Sequence, residues 1–247
     1  MSRATTPFVA SIELVLSAAR RKRIRVALVG GFALGFHGVL RATANVDFLV
    51  DTRGADALDA ALVAAGAACQ HRSADAASYA TGRSGLAPVT FIFARRARAE
   101  EILARRAWRY LRNAKIRVPV VDAEGLIGLK LQALANQPDR VQHANDIEAL
   151  VAAQTKPLKL RLLRDYYRLF ERLPELDELL SRRPRRRPPR AKSRRTPVVG
   201  SGARARETSP PRARDVDEAP DVPRQWTKLF GVKKRPHPIA TASDFRL

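Results

Sequence analysis

The sequence predicts an α+β fold: a small mixed β-sheet flanked by helices, closed by a C-terminal helical cap and followed by a disordered basic tail. Two observations carry this. Strand-like segments come first along the chain and helical ones last, an order that suits an α+β or α/β core under a helical cap. The composition then changes abruptly at Ser181. From there to the end, 19 Lys and Arg face 6 Asp and Glu, so 67 residues hold +13 of the +22 net charge and ten of the 16 prolines. The stretch SRRPRRRPPRAKSRR has too little apolar surface to offset the entropy of ordering, so residues 181–247 are expected to be disordered. Residues 1–180 are then one domain, with a core over about 25–153 and a helical cap over about 123–180.

The elements follow in order. Phe8, Ile12, Val15, Leu16 and Ala19 recur at helical spacing and predict an amphipathic helix to Arg21. RVALVGG is a short buried strand that stops at Gly30-Gly31. FALGFHG suits a short helix turning back, and Asn45 to Val50 alternates like a strand. ADALDAALVAAG is a helix with Gly66 as its C-cap. APVTFIFA is a β-branched and aromatic strand after Pro88. IRVPVVD is a further strand, and Asp122 caps the helix DAEGLIGLKLQALAN. Helices at about 144–154, 158–171 and 174–181 complete the cap.

Composition narrows the function classes. Apolar content of 45% is enough for a core. A net charge of +22 and a pI near 11.4 favour nucleic acid or other polyanions as partners. The single cysteine, Cys69, rules out an internal disulfide and suits a reducing cytoplasm; without a nearby His or CxxC partner it reads as a small buried residue. No apolar run is long enough to span a membrane. At the N-terminus the apolar residues precede the positive ones, the reverse of a signal peptide, so a cytoplasmic location is expected.

The chemistry concentrates in LVGGFALGFHGVLRATANVDFLVD, residues 28–51. Side chains alternate along a strand, so Asn45, Asp47 and Leu49 share a face, with Asp51 next on that side. Two carboxylates at i and i+2 can hold a pair of divalent ions about 3.5–4 Å apart for phosphoryl transfer. Gly30-Gly31 lets the backbone approach a triphosphate, and the next helix offers its first amides. The bland alternative is a tight strand-to-helix turn with no ligand.

The string Gly30-Gly31, His37-Gly38, Arg41-x-Thr43-x-Asn45-x-Asp47 resembles the nucleotidyltransferase superfamily with the DNA polymerase β-like fold. Within it, the string looks most like the small bacterial branch of abortive-infection and toxin-type enzymes. GLIGLKLQALANQPDRVQHANDIEAL is similar to that branch's helical segment and supplies Lys130, Arg140 and Asp146; the likeness covers about residues 25–153. The resemblance implies transfer of a nucleoside monophosphate from a nucleoside triphosphate to an RNA or protein acceptor with Mg²⁺, in a toxin or defence role. It implies Asp47 as catalytic residue and metal ligand, and Asn45 as second metal ligand. Gly30, Gly31, Arg41, Thr43 and Lys130 would bind the nucleotide, supported by Asp146 and Arg140. An antitoxin protein is the implied partner, and the basic tail suits RNA or other nucleic acid.

The chain departs from that family's pattern at three acidic positions. Asn45 replaces the first aspartate of Asp-x-Asp, Thr90 stands where a later strand carries a third carboxylate, and His143 stands three residues before Asp146. An amide oxygen brings no charge to magnesium, and a hydroxyl is a poor general base. The alternative function is therefore a degenerate nucleotidyltransferase fold that binds nucleotide or nucleic acid. A Rossmann site is disfavoured, because VGGFALG does not give G-x-G-x-x-G.

Single residues keep their own alternatives open. Arg41 contacts phosphate or a carboxylate. Lys130 snorkels from an apolar helix or binds triphosphate, and Asp146 pairs with Lys130 or Arg140 in place of doing chemistry. His37 and His143 lack the spacing of zinc ligands, and His37 reads as a packing or polar-turn residue. In the tail, QWTKLFGVKKRP is a candidate docking segment.

Overall fold

The structure is a computed structural model that describes residues 6–82 and 84–182. Disorder was expected from residue 181, but Ser181 ends a helix and Arg182 caps it; residues 183–247, with QWTKLFGVKKRP, lie outside the described residues. The first half of the domain contains α1 (Pro7–Arg21), β1 (Val26–Val29), α2 (Gly30–Phe36), β2 (Val46–Val50), α3 (Ala55–Ala64), β3 (Ala68–Arg72), β4 (Ala76–Ala80) and β5 (Val89–Phe93). The second contains α4 (Ala97–Ala104), β6 (Ala107–Leu111), β7 (Ile116–Val120), α5 (Ala123–Asn136), α6 (Val141–Ala153), α7 (Leu160–Leu169) and α8 (Leu173–Ser181).

Helix α1 begins where Thr6 Oγ1 accepts from the Val9 amide at 3.4 Å, with Pro7 in the first turn where no amide donor is needed. Its apolar stripe packs on α3 and over β2. The strands form one mixed sheet in the order β3-β4-β5-β2-β1-β7-β6. β1 pairs antiparallel with β2 and parallel with β7, and β2 runs parallel to β5. The outer pairs β3–β4, β4–β5 and β6–β7 are antiparallel. The central position of β1 explains why all four residues of VALV are buried. Phe48, Phe91 and Tyr79 from three adjacent strands pack edge to face at 5.4–6.3 Å between ring centres. Asp122 caps α5 by accepting from the Gly125 amide at 2.9 Å, as its sequence context predicts. α5 packs on α6 and α7, and α8 on α7, making the C-terminal cap.

The α+β class, the strand-then-helix order and the cap match the expectation. The sheet is larger than expected, because β3, β4 and β6 join it, and α4 is an added helix. Cys69 corrects the reading of a buried thiol. It is exposed, since β3 is the outermost strand and all five of its residues face solvent.

Candidate functional site

The turn that ends β1 is shaped by what crosses over it. Gly30 has φ +62°, and a β-carbon there would sit 1.9 Å from Asp47 Oδ2; one on Gly31 would sit 2.7 Å from Thr43 Cβ. Glycine at both positions is what lets Asp47 and Thr43 lie against the backbone. Thr43 is fixed in turn by donating to the Asn45 carbonyl at 3.2 Å.

Pairing in the sheet then sets the neighbours of Asp47. It lies opposite Val29 on β1 and opposite Thr90 on β5. Asn45 Nδ2 donates to Asp47 Oδ1 at 2.5 Å and to Thr90 Oγ1 at 2.7 Å, so the three positions form one hydrogen-bonded cluster. Asp47 opens onto a cleft but is otherwise surrounded by protein. Burial pushes its carboxyl up to about 6, against the Thr90 hydrogen bond and the charges of Lys130 and Arg41, which favour ionisation. Asp51, next on that side of the strand, does not line the cleft. Its carboxylate binds Arg25 at 2.8 Å and Arg53 at 2.7 Å, and these contacts hold it well below the usual carboxylate range.

A second carboxylate lies behind the cleft wall. Asp146 is 2% exposed and accepts from Lys130 Nζ at 2.6 Å, Arg41 Nη1 at 2.9 Å and Gln142 Nε2 at 3.3 Å. Of the two partners expected for Asp146, Lys130 is present and Arg140 is not: Arg140 is the exposed residue preceding α6, and Arg41 from the α2–β2 loop takes its place. Lys130 does not snorkel, because its ammonium is held inside by that carboxylate.

These side chains converge on a cleft of about 1180 Å³ between the sheet and the α5–α6 pair. Its polar lining includes Arg41, Asn45, Asp47, Lys130, Arg140 and His143. Leu126, Leu129 and Ala133 of α5 form an apolar wall. Their i, i+3, i+7 spacing reads in sequence as an ordinary core stripe, and Gln142 carries no sequence signal at all. Two of the lining residues each keep a nitrogen shielded from the cleft, Arg41 Nε and His143 Nδ1, with no hydrogen-bond partner among the described residues. Burial and the nearby Lys130 charge lower the pKa of His143 and favour its neutral form. His37 lies apart from the cleft lining. Its Nε2 donates to the Val121 carbonyl at 2.8 Å, and burial lowers its pKa.

The donor set decides what cation the cleft suits. Asp146 is committed to Lys130 and Arg41, leaving Asp47 as the carboxylate beside an amide and a hydroxyl. No group of three His, Cys, Asp or Glu among the described residues is placed to hold a metal. That set does not fit a two-ion centre. One carboxylate with an amide oxygen beside it could hold a single Mg²⁺ only if most of the ion's shell came from outside the protein.

No protein-family model matches the chain, and no curated protein matches it. Solved structures similar to it include the antibiotic-resistance factor ANT(2'')-Ia, at 14% identity over 70% of this chain and 96% of that one, with a TM-score of 0.48. Another is the lincosamide antibiotic adenylyltransferase LnuA, at 11% identity over 59% and 97%, TM-score 0.44. A third is an antigenic nucleotidyltransferase-like protein from Paracoccidioides brasiliensis, at 17% identity over 70% and 92%, TM-score 0.43.

Proposed function

We propose that the chain is a protein of nucleotidyltransferase type whose cleft binds a nucleoside triphosphate. The observation that carries this is one cleft whose lining brings Arg41, Lys130 and Arg140 together with a single carboxylate, Asp47, so that cations outnumber anions where a ligand would sit. A guanidinium edge takes a phosphate oxygen well. The cleft volume exceeds the roughly 300–1,000 Å³ of typical small-molecule sites, so a triphosphate with its nucleoside is accommodated. In this reading Gly30, Arg41 and Lys130 surround the phosphates, Gly31 and Thr43 shape the turn behind them, Arg140 lies at the mouth, and Leu126 and Leu129 face the base.

Nucleotidyl transfer is the second reading, and the place of Asp47 in the cleft lining favours it. An acceptor hydroxyl would attack the α-phosphorus, pyrophosphate would leave, and the hydroxyl proton would pass to water. Mg²⁺ brought in on the triphosphate and held by Asp47, with Asn45 beside it, would neutralise phosphate charge. The missing carboxylates at Asn45 and Thr90 weigh the other way, since losing one general base alone lowers a rate by about 10²–10⁴-fold. Binding is therefore the primary function here and transfer the subordinate one. An RNA or protein acceptor, a toxin or defence role, an antitoxin partner and a cytoplasmic setting rest on the sequence resemblance and composition.

Calorimetric titration of ATP, CTP, GTP and UTP into the full chain, with Mg²⁺ and then with EDTA, tests the first reading. At least one nucleotide is expected to bind; no heat from any of the four overturns it. For the second reading, label from an α-labelled triphosphate is expected on RNA or protein with the parent chain and not with Asp47→Ala. Equal labelling by the folded variant would exclude Asp47 from the transfer.

A further inference from the structure

The β6–β7 hairpin at the sheet edge carries a face that the cleft does not use. In its register Trp108 lies opposite Pro119 and Tyr110 opposite Arg117, so these four project to one side. The other side is formed by Leu111, Val118 and Val120, all buried, together with Ala107, Arg109 and Ile116. Simple alternation would leave polar residues on the outer side. Instead, Trp108 is 46% exposed and Tyr110 55%. The segment RRAWRYLRNAKIR, residues 105–117, contains no acidic residue. Arg109, Arg112, Lys115 and Arg117 are exposed, and none of the four forms an ion pair among the described residues.

We propose that this outer face of the β6–β7 hairpin binds single-stranded nucleic acid, with bases stacked on Trp108 and Tyr110 and phosphates held by Arg117, Arg112 and Lys115. Charge on an edge strand is a common guard against unwanted pairing, and it accounts for the basic residues. It does not account for two large aromatic rings left in solvent beside them. Flat rings interleaved with cations are what an unpaired strand needs, because every base offers a face to stack and every nucleotide a negative charge. Residues two apart on a strand are attached about 6.7 Å apart along it. That is roughly twice the 3.4 Å rise per nucleotide of a stacked strand, so the spacing suits an extended single strand and not a duplex. The inference does not depend on the cleft binding a nucleotide.

The test uses the full chain with Trp226→Phe, which leaves Trp108 as the sole indole. Titration with a uridine dodecanucleotide is expected to quench Trp108 fluorescence to saturation. Trp108→Ala with Tyr110→Ala should weaken binding of the labelled oligonucleotide about tenfold or more, while Trp108→Phe with Tyr110→Phe retains most of it. Arg117→Ala should weaken binding and reduce the salt slope by about 0.7. Binding of a duplex of the same length should be unchanged by the alanine pair. Oligonucleotide binding without quenching, or parental affinity in the folded alanine variant, would assign the strand to charge elsewhere in the chain and overturn the proposal. Displacement by polyglutamate of equal charge as readily as by nucleic acid would overturn it too, in favour of an acidic protein.

Discussion

At Asp47, burial and charge pull in opposite directions, and the balance leaves the carboxyl near 6. An unfolded aspartate titrates near 3.9, so between about pH 4 and 6 the folded state binds more protons than the unfolded one. Stability from this group is therefore full below about pH 4, declines up to about 6, and is flat above. Chemical denaturation of the parent against Asp47→Asn across that range should show the decline in the parent alone; a parallel pair of curves would contradict the environment described. The same proton governs ligand binding. In EDTA, triphosphate affinity of the parent should rise relative to Asp47→Asn as pH falls through about 6, because protonation removes a negative charge beside the phosphates. A second expectation concerns the neutral neighbours. Asn45 touches both Asp47 and Thr90, so Asn45→Asp with Thr90→Asp would set three carboxylates together. That variant should melt lower than the parent in EDTA and recover on adding Mg²⁺, as like charges seek a shared cation. A melting temperature indifferent to Mg²⁺ would mean the strand ends diverge too far to share an ion. Asn45 and Asp47 were legible as neighbours on one face, because strand alternation places i and i+2 together; Thr90 was placed by the family resemblance, and the pairing of β2 with β5 that brings it beside them has no local signal. The link from Arg41 to Asp146 was not, since 105 residues separate them and no local pattern encodes it.

The α5–α6 pair shows what an element contributes beyond its own helix propensity. Lys130 from one helix and Asp146 from the other meet at 2.6 Å in the interior, and Arg41 ties the α2–β2 loop to the same oxygen. Removing one partner of a buried pair typically costs about 3–5 kcal/mol, because the other charge stays buried. Arg41 and Gln142 would still contact Asp146 in Lys130→Met, which puts the expected loss at the low end of that range. Lys130→Met with Asp146→Leu should recover part of it, as apolar replacement of both partners often does. Urea unfolding of the single and double variants measures this; equal stability of Lys130→Met and parent would show that the pair contributes nothing net. Elements with strong periodicity or a clear cap, such as α1, α5 and β5, were legible from sequence. β3 was not: ACQHR is exposed throughout, so no alternation marks it, and pairing with β4 alone makes it a strand. α4 escaped notice because ARAEEILA is short and buries only Ile102 and Leu103. β6 was missed for the reason that makes its hairpin interesting, since its outer face carries Trp and Tyr where a solvent-facing strand usually carries polar residues.

Across the whole molecule, core and charge are partitioned along the chain. Among the described residues the buried hydrophobic cluster runs from Val9 to Leu176, with Leu179 and Leu180 packed against it, whereas +13 of the +22 net charge lies from Ser181 onward. No helix among the described residues is long and apolar enough to cross a membrane. The composition change at Ser181 makes residues 1–180 an expected independent domain. A fragment of residues 1–182 should unfold in a single cooperative transition and bind nucleotide as the full chain does. Nucleic-acid affinity should separate the two forms, because each phosphate neutralised contributes roughly −0.7 to the slope of log K against log salt for single strands. The fragment should show a shallower slope than the full chain while keeping the quenching of Trp108, as the hairpin remains in it. Melting curves, calorimetry and oligonucleotide titrations from low to moderate salt measure all three. Loss of cooperative unfolding or of nucleotide binding in the fragment would mean the basic segment belongs to the domain. An unchanged salt slope would mean that the segment's charge does not reach the strand, and that the folded domain supplies the nucleic-acid contacts by itself.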